Sequence, residues 1–456
     1  MMNKYKFIGL ILILSAFTLK AQNAQWIDIL TDEAGLADER ASRIYVNDIN
    51  GDDYPDIIYA GPTAYKEPLT LLINEPNPDS NSPYSRIFVD RTEGSNINAT
   101  RHEEIDERWS DVTVIGDIDN DGDNDLVTSV FFYRLNEYIK RDTIEVDDGQ
   151  GGTYDSVAVF VNPYQHMEVL LNDGNGNFKI KENNGLTDHQ FIEGTFYSKK
   201  NQDAPIDTVQ YPPGLLSTTG MSLIDADKDG NLDLVIGTFM TNYDSNQKMH
   251  EVLMKGNGDG SFTYVPDSGL EEEQEPLYGL NTTDYNNDGW MDVVSSPYCR
   301  SDGSLWENMQ DGTFNDVAQM VNYSANHMER DDNPNGNLCQ WEALPADFDN
   351  DGDIDLLQVL VHGGYDEGKG RTTIAVNQGE EGLYKFEWEI DRLKREAPEY
   401  SHLGDMGANW FDLDNDGWQD VAIGQMSYPN ANVHGQERLY ILLQNEENYF
   451  DDISHE

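Results

Sequence analysis

One pattern of carboxylate and amide side chains recurs six times along the chain, and its composition is that of a cation-binding loop. The pattern is D-x-[DN]-x-D-[GD]-x-x-D. Side chains at positions 1, 3, 5 and 9 offer hard oxygen atoms, and the backbone carbonyl at position 7 can offer another. Calcium accepts about six to eight oxygens in irregular geometry, so this donor set fits calcium better than magnesium or zinc. We therefore predict up to six bound calcium ions, one for each copy.

We number the copies loops 1 to 6 in chain order. The predicted metal ligands are Asp48, Asn50, Asp52 and Asp56 in loop 1; Asp117, Asp119, Asp121 and Asp125 in loop 2; Asp225, Asp227, Asp229 and Asp233 in loop 3; Asp284, Asn286, Asp288 and Asp292 in loop 4; Asp347, Asp349, Asp351 and Asp355 in loop 5; and Asp412, Asp414, Asp416 and Asp420 in loop 6. Position 6 is Gly in loops 2 to 6, which permits a sharp turn around an ion. Loop 1 departs from the pattern there, because it has Asp53.

The residues that flank the loops predict strands rather than helices. An EF-hand would need a bidentate Glu at position 12, and none of the six copies has one. The flanking residues are apolar and often β-branched, so each loop is predicted to join two strands. An ordinary hairpin turn is the alternative for any single copy, because Asp-Gly and Asn-Gly also mark turns. Six copies with an oxygen ligand at all four positions favour metal binding.

The chain is strongly acidic. Among its 456 residues, 85 are Asp or Glu and 29 are Lys or Arg, which gives a formal net charge of −56. Such a charge argues against nucleic acid and against an anionic membrane surface as partners. Clustered carboxylates also repel one another when no cation is bound, so we expect folding to depend on calcium.

The first 21 residues have the pattern of a secretory signal peptide. Lys4 and Lys6 precede an apolar run over residues 7–17, and Ala21 is a small residue at the expected cleavage site. The run is too short to span a membrane, and no second apolar stretch reaches spanning length. We therefore expect residues 1–21 to be removed from a secreted, periplasmic or cell-surface protein that has no membrane span.

The spacing of the loops indicates one structural unit per copy. Successive loops start 69, 108, 59, 63 and 65 residues apart. A second apolar strand, an Asn- and Gly-rich turn and a final strand with an aromatic residue follow each loop, which makes about four strands per repeat. Four antiparallel strands repeated six times predict an all-β fold, a β-propeller of six four-stranded blades over residues 22–456. A row of separate sandwiches is the alternative, but no linkers separate the repeats.

Two features of this repeat pattern leave open the number of blades and the way in which the two ends of the chain join them. The 108-residue interval between loops 2 and 3 has room for a seventh blade, although we interpret its excess length as insertions. Residues 26–30 and residues 449–453 both resemble outer strands. One of these segments is expected to complete a blade shared by the two ends of the chain.

The loops, set inside strand-rich repeats, resemble the FG-GAP/VCBS repeats of integrin-α-type β-propellers. The resemblance covers about residues 26–453, and the Phe-Gly and Gly-Ala-Pro elements of the family are reduced to a remnant at residues 60–62. It implies the propeller fold and a metal role for the loops, but no specific activity. In this family the metal turns join the first and second strands of each blade. The long remaining loops would then lie on the opposite face.

That opposite face is where we expect the function to lie, because its loops hold eight of the nine histidines. Tyrosines such as Tyr298 and Tyr323 fall in the same loops. Loops collect polar residues in any protein, which is the alternative explanation. If the face carries out chemistry, the candidate catalytic residues are His166, His250, His362, His434, Tyr243 and Arg300.

Three functions fit this composition. In the first, aromatic rings stack on sugars while Arg and His hold acidic or sulfated groups, so the partner is a polysaccharide or a cell-surface protein. In the second, the protein is a polysaccharide lyase, because Arg can neutralise a uronate carboxylate while His and Tyr transfer protons. In the third, the propeller is an interaction scaffold. Binding is our leading interpretation, with glycan ahead of protein, and we expect a monomer.

The sequence supports few other enzyme classes. It contains no G-x-S-x-G elbow, no H-E-x-x-H motif and no phosphate-binding Gly loop. Asp and Glu are too abundant for one pair to be singled out as glycosidase carboxylates. Cys299 and Cys339 are the two cysteines, and both a disulfide and two separate thiols remain open.

Overall fold

The computed structural model describes much of the chain from residue 34 onward. The described ranges are 34–36, 41–61, 67–82, 84–101, 106–131, 139–147, 153–161, 167–187, 189, 216–242, 247–248, 250–271, 276–298, 303–324, 340–360, 372–389, 391–394, 403–427 and 439–454. The signal peptide expected over residues 1–21, the strand expected at residues 26–30 and both cysteines, Cys299 and Cys339, lie outside these ranges.

The chain divides into two units, and each contains three four-stranded antiparallel arrays. The first unit is Asp38–Pro266, and the second unit is Asp267–Glu456 together with Met1–Ala37. Each array contains one of the six loops, so we number the arrays blades 1 to 6.

The first unit contains blades 1 to 3. Blade 1 consists of β1 (Arg43–Asn47), β2 (Asp56–Ala60), β3 (Leu69–Pro76) and β4 (Arg86–Asp90). Blade 2 consists of β5 (Val112–Gly116), β6 (Asp125–Ser129), β9 (Glu168–Asn172) and β10 (Phe178–Ile180), and blade 3 consists of β11 (Thr218–Ile224), β12 (Asp233–Thr238), β15 (Val252–Gly256) and β16 (Phe262–Tyr264). The strand labels missing from these blades belong to two inserted hairpins, β7 (Ile139–Asp147) with β8 (Thr153–Val161) and β13 (Met240–Asn242) with β14 (Gln247–Lys248).

The second unit contains blades 4 to 6. Blade 4 consists of β17 (Leu277–Thr283), β18 (Asp292–Pro297), β19 (Leu305–Asn308) and β20 (Phe314–Asp316), and blade 5 consists of β21 (Gln340–Ala346), β22 (Asp355–Leu360), β23 (Thr373–Asn377) and β24 (Phe386–Glu389). Blade 6 consists of β26 (Leu403–Phe411), β27 (Asp420–Ser427), β28 (Leu439–Gln444) and β29 (Phe450–Asp452), with the short strand β25 (Leu393–Lys394) parallel to β29. The segment at residues 449–453 therefore supplies an outer strand of blade 6, as its sequence indicated. The other three strands of that blade come from residues 403–444, so this segment does not form the expected blade shared by the two ends of the chain.

The long interval between loops 2 and 3 contains an insertion and no further blade among the residues that the structure describes. Strands β7 and β8 pair with each other in continuous register from Ile139 opposite Val161 to Asp147 opposite Thr153. This hairpin lies in the chain between β6 and β9, which pair directly with each other. The interpretation of the excess length as insertions is confirmed. The sequence pattern did not predict strands there, because alternating residues in an inserted hairpin have no repeat to mark them.

The hydrophobic core of each unit lies between neighbouring blades. In the first unit, Ile58 and Leu71 of blade 1 pack in one cluster with Leu126, Leu170 and Phe178 of blade 2. The second unit has comparable clusters between blades 4 and 5 and between blades 5 and 6. Four second strands, β6, β12, β18 and β22, are buried along their whole length, because both of their faces are covered. Burial on both faces explains why these strands read as continuous apolar runs in the sequence.

A backbone hydrogen bond ties the last strand of one blade to the segment that precedes that blade in the chain. Phe262 at the start of β16 donates its N–H to the carbonyl of Asn184 at 2.9 Å, and Phe314 at the start of β20 donates to Ser268 at 2.7 Å. The buried Phe side chain at this position is the aromatic residue that the sequence pattern placed in each final strand. These bonds join successive blades within each unit.

Helical structure among the described residues is limited to an irregular turn at Thr92–Ser95, in which Glu93 and Gly94 depart from helical backbone angles, and a 3₁₀ turn at Glu380–Gly382. No helix in the described part of the chain is long and apolar enough to cross a membrane. The prediction of an all-β fold with six four-stranded blades is confirmed.

Candidate metal centres and the opposite end of the blades

Each of the six loops is the turn between the first and second strands of its blade. Loop 2, for example, connects β5 to β6, and loop 5 connects β21 to β22. The strand–loop–strand arrangement is therefore as predicted. The side chain at position 2 anchors the loop in the core, because Ile49, Tyr285 and Phe348 belong to the inter-blade clusters.

Two left-handed residues give the loops their shape. Position 6 has a positive φ in every loop, between 83° and 97° for the five glycines and 65° for Asp53. Position 4 also has a positive φ, for example 61° at Asn120 and 71° at Gly51. Asn and Gly tolerate this region better than other residues, so the Asn-rich position 4 is a second turn signal that the ligand pattern did not use. Loop 1 exchanges the two residue types, with Gly at position 4 and Asp at position 6.

The Asp at position 9 is buried in all six loops and joins the loop to the rest of its blade. One carboxylate oxygen accepts the N–H of a residue at or near the end of the third strand, at 2.7 to 2.9 Å. In loops 1 to 4 and 6, the other oxygen accepts the N–H of position 2, at 2.7 to 3.2 Å. This residue therefore has a structural role as well as the predicted ligand role.

The exposed ligand positions are held by hydrogen bonds within the loop. In loop 2, Asp117 accepts the N–H groups of Asp121 at 3.0 Å and Gly122 at 3.1 Å. Asp121 in turn accepts the N–H of Asp123 at 3.1 Å. The other loops repeat this arrangement. The backbone thus orients the carboxylates of positions 1 and 5.

Carboxylate oxygens converge in the four loops that have Asp at position 3. In each of these loops three carboxylates place one oxygen within 4.8 Å of one another. The sets are Asp117, Asp119 and Asp125; Asp225, Asp227 and Asp229; Asp347, Asp349 and Asp351; and Asp412, Asp414 and Asp420. Loops 1 and 4 have the amides of Asn50 and Asn286 at position 3 instead.

Several of these oxygens are buried without a hydrogen-bond partner among the described residues. They are Oδ1 of Asp119, Oδ1 of Asp225, Oδ1 of Asp349 and Oδ2 of Asp355. A buried carboxylate oxygen without a donor is costly, and a bound cation would satisfy it. The donor set therefore fits a hard cation such as calcium.

Burial raises the pKa of every position-9 carboxyl, and neighbouring carboxylates of the same loop raise it further. The pKa rises to about 6 for Asp56, Asp233 and Asp420, to about 7 for Asp125, and to about 8 for Asp292 and Asp355. Backbone N–H donors oppose the rise in part. The ionised form of these groups is thus disfavoured in the protein alone, which is the electrostatic condition that a divalent cation reverses.

Two loops have a basic side chain on their predicted ligands, which the sequence pattern did not reveal. The Lys255 ammonium contacts Asp227 and also lies 2.9 Å from an oxygen of Asp229 in loop 3. The Arg86 guanidinium lies 2.6 Å from Asp52 in loop 1. Hydrogen bonds to the two carboxylates raise the pKa of Lys255. The six loops therefore differ in their local charge.

The opposite end of the blades, where first strands begin and second strands end, carries an aromatic cluster in the second unit. The ring of Tyr278, at the start of β17, lies 4.7 Å from that of Tyr298, just after β18, and 4.7 Å from that of Trp341 in β21. All three residues are partly exposed. The sequence analysis named Tyr298 but not its two neighbours, because strand residues were not among the loop candidates.

The structure describes only some of the residues proposed for this end. His250 is half-buried, and its Nδ1 lies 3.0 Å from the carbonyl oxygen of Glu251. The expectation for Tyr323 was wrong, since this residue is fully buried in the core between blades 4 and 5 and donates its hydroxyl to the Ser295 carbonyl at 2.6 Å. The other catalytic candidates, His166, His362, His434, Tyr243 and Arg300, lie outside the described residues.

The six blades and their loops define the protein as a β-propeller with carboxylate-bearing turns. A family model described as FG-GAP-like repeat matches residues 225–295 and 284–358, which include loops 3, 4 and 5. The chain contains FG-GAP-like repeats, as its loops predicted. No curated protein matches the chain.

Three solved structures are similar at low identity. One is an Agrocybe aegerita lectin that recognises non-reducing terminal N-acetylglucosamine, with 14% identity, coverage of 93% of this chain and 82% of the other, and a TM-score of 0.45. The second is the Photorhabdus luminescens Tc holotoxin pore, with 13% identity, coverage of 89% and 14%, and a TM-score of 0.37. The third is an ancestral GH74 enzyme, with 8% identity, coverage of 91% and 52%, and a TM-score of 0.33. At these scores none of them carries an inference about ligand or activity.

Proposed function

We propose that the protein is a secreted, calcium-binding β-propeller that binds a glycan at the end of its blades opposite the metal loops. An acidic polysaccharide is the preferred ligand class. The calcium part rests on the six repeated loops, and the glycan part rests on the aromatic cluster of Tyr278, Tyr298 and Trp341. Secretion rests on the signal-peptide pattern of residues 1–21.

Calcium is supported by the way each loop presents its oxygens. Positions 1, 3, 5 and 9 would hold the ion, and the unpartnered oxygens of Asp119, Asp225, Asp349 and Asp355 are the strongest single observation in favour of one. A bound ion would offset the repulsion among these carboxylates and fasten the first strand of each blade to the second. Loops 2, 5 and 6 are expected to bind most tightly, because the basic contacts of Arg86 and Lys255 fall in loops 1 and 3 and loop 4 has the neutral amide of Asn286 at position 3.

Glycan binding is supported by the composition and exposure of the aromatic cluster. Tyr and Trp rings offer flat apolar faces with a polar edge, which suits the alternating apolar and hydroxyl faces of a sugar ring. The three rings lie at neighbouring strand ends in blades 4 and 5, so they form a contiguous surface. The preference for acidic sugars comes from the sequence, in which Arg and His collect in the loops at this end of the blades.

The glycan proposal is tested by retention on affinity gels that carry acidic or neutral polysaccharides, with calcium present. Binding is expected to at least one of them, and Trp341→Ala or Tyr278→Ala should weaken it about tenfold or more, as loss of an aromatic anchor does. Trp290→Ala is the matched control, because Trp290 lies in loop 4 at the metal end of the same blade as Tyr278. If the protein binds none of the polysaccharides, or the control weakens binding equally, the proposed site is wrong.

A polysaccharide lyase is the second candidate, because the same loops contain the His, Tyr and Arg residues that uronate elimination requires. The same polysaccharides are incubated with the protein, and the ultraviolet absorbance of an unsaturated uronate product is followed. A rise with one substrate would make the protein an enzyme, and single substitutions at His166, His250, His362 and His434 would then locate the site. Absence of both cleavage and binding would favour an interaction scaffold.

A further inference from the structure

Buried amide side chains recur at the third-strand residue whose N–H donates to the position-9 Asp, and three of them reach the metal loop of the preceding blade in the same unit. Asn172, Asn377 and Gln444 are the last residues of the third strands β9, β23 and β28. Their exposed fractions are 6%, 2% and 6%. In the sequence these residues read only as the start of Asn- and Gly-rich turns. Their hydrogen bonds assign them a different role.

Each of these residues contacts two metal loops at once. Its backbone N–H donates to the position-9 Asp of its own blade, at 2.8 Å from Asn172 to Asp125, for example. Its side-chain amide donates to the carbonyl at position 2 of the preceding loop, at 2.7 Å from Asn172 to Ile49. In the second unit Asn377 donates to Tyr285 at 2.8 Å and Gln444 donates to Phe348 at 3.1 Å.

Position 2 is itself fixed to the metal ligands of its loop. It lies between the ligands at positions 1 and 3, and in loops 1 to 4 and 6 its N–H donates to the position-9 carboxylate, as in Tyr285 to Asp292 at 3.2 Å. A continuous chain of bonds therefore leads from Asp292 in loop 4 through Tyr285 and Asn377 to Asp355 in loop 5. Gln444 connects loop 5 to loop 6 through its own two bonds, from its side-chain amide to the Phe348 carbonyl and from its N–H to Asp420 at 2.9 Å. Phe348 is joined to the loop 5 ligands by its place in the chain between Asp347 and Asp349.

Blade 3 provides a natural contrast. The corresponding residue there is Gly256, and a Cβ at this position would lie 2.1 Å from the Leu232 carbonyl oxygen, so no side chain fits. The carbonyl of Ile118 in loop 2 instead accepts a long backbone bond from Gly260 at 3.4 Å. The amide connection thus joins loops 1 and 2, loops 4 and 5, and loops 5 and 6.

We propose that Asn172, Asn377 and Gln444 are positioning residues that couple neighbouring metal loops, so that filling one loop raises the cation affinity of the next. This inference rests on the proposed calcium binding. An ion that orders one loop also orders its position-2 carbonyl and position-9 carboxylate. Because the amide holds both loops, the neighbouring loop then loses less conformational freedom when it binds.

The experiment uses terbium as a luminescent substitute for calcium. Trp418 occupies position 7 of loop 6, where it is placed to sensitise bound terbium, and Trp290→Phe removes the corresponding residue of loop 4. Excitation selective for tryptophan avoids a signal from Tyr54 at position 7 of loop 1. Loop 5 is disabled by combining Asp347→Asn with Asp351→Asn. The dissociation constant at loop 6 is measured with loop 5 intact or disabled, first with Gln444 present and then with Gln444→Met, which keeps the length of the side chain but removes its amide.

With Gln444 present, disabling loop 5 is expected to weaken terbium binding at loop 6 about fivefold or more, and with Gln444→Met less than twofold. An equal effect in both backgrounds, or no effect in either, would overturn the coupling while leaving the calcium proposal intact. Absence of terbium binding in every variant would overturn the calcium proposal and the coupling with it.

A second variant keeps the test decisive if Gln444→Met fails to fold. In a Trp418→Phe protein, Trp290 reports on loop 4, and Asn377→Leu removes the amide that reaches Tyr285. The effect of loop 5 on loop 4 is expected to fall at least twofold. Some coupling should remain, because Asn287 of loop 4 also donates to Asp353 of loop 5 at 2.8 Å. An unchanged effect of loop 5 would contradict the proposal.

Discussion

At the scale of single residues, each loop contains two kinds of Asp that the sequence pattern treats as equivalent. In loop 2 the residues at positions 1 and 5 accept N–H groups of the loop itself, whereas the residue at position 9 is buried and also accepts an N–H group from the third strand of the blade. Loss of a buried acceptor leaves its donors unsatisfied, which costs more than loss of an exposed ligand. Substitution of position 9 should therefore lower the stability of the fold more than substitution of an exposed ligand does, although both should weaken cation binding.

Asp125→Ala tests this difference. It would leave the N–H groups of Ile118 and Asn172 without their acceptor, so we expect the free energy of unfolding in EDTA to fall by about 2 kcal/mol or more. Asp121→Ala, which removes an exposed ligand of the same loop, should change it by less than about 1 kcal/mol and should still weaken calcium binding. Urea denaturation with and without calcium measures both effects. Equal losses of stability in EDTA would show that position 9 has no special structural role.

A second residue-scale prediction concerns Lys255. Its ammonium occupies two predicted ligands of loop 3 and would compete with a bound cation. Lys255→Met is therefore expected to raise the calcium affinity of loop 3 about fivefold or more, since one local positive charge is removed. Lys181→Met is the matched control, because Lys181 lies 3.3 Å from Asp259 in a neighbouring turn and contacts no predicted ligand in the described residues. Titration calorimetry that shows no gain for Lys255→Met would contradict the competition.

At the scale of secondary-structure elements, the segments between blades matter as much as the strands. Gly185 lies against the backbone carbonyl of Phe262 in β16. Gly269 lies against the backbone carbonyl of Phe314 in β20. A Cβ would be 1.9 Å from the first carbonyl oxygen and 2.0 Å from the second. Both glycines are thus required by close backbone approach, which links one blade to the next.

Gly185→Ala is accordingly predicted to be among the most damaging single-methyl substitutions in the first unit. The clash with the Phe262 carbonyl must displace one of two hydrogen-bonded segments, so we expect a loss of about 3 kcal/mol or more. Gly94→Ala is the control, since Gly94 also has a positive φ, 92°, but has no atom within 4 Å of the added Cβ. The control should lose only about 1 to 2 kcal/mol from backbone strain. Thermal or urea unfolding that gives equal losses would rule out the contact as the cause.

At the scale of the whole molecule, we expect the net charge of −56 to couple folding to cation binding. Self-repulsion opposes the compact state, and the six loops concentrate part of that charge within short turns. Each unit contains three loops, so both units should respond to removal of the cation.

Chelation is the direct test at this scale. In EDTA the melting temperature is expected to fall by about 10 °C or more, because a cation that binds only the folded state stabilises it by mass action. Calorimetry with calcium restored should return the original transition, whereas magnesium should restore less, because it demands regular octahedral geometry. A melting temperature that does not change on chelation would argue strongly against structural calcium.

Much of this protein was determined by local sequence and could be predicted from it. The loop pattern and its spacing predicted strand–loop–strand units, six four-stranded blades and the FG-GAP-like repeat, because turn geometry and strand alternation are properties of a few adjacent residues. The inserted hairpin of β7 and β8 escaped prediction because it occurs once and has no repeat to identify it.

Tertiary structure alone decided which distant residues meet. It buried Tyr323, which its loop position had marked as a surface residue, and it gathered Tyr278, Tyr298 and Trp341 from three strand ends. It also placed Lys255 on loop 3 and Asn377 on loop 4, contacts that span 28 and 92 residues of sequence. Local patterns cannot contain such information, since a side chain's neighbours across a blade are set by register and packing.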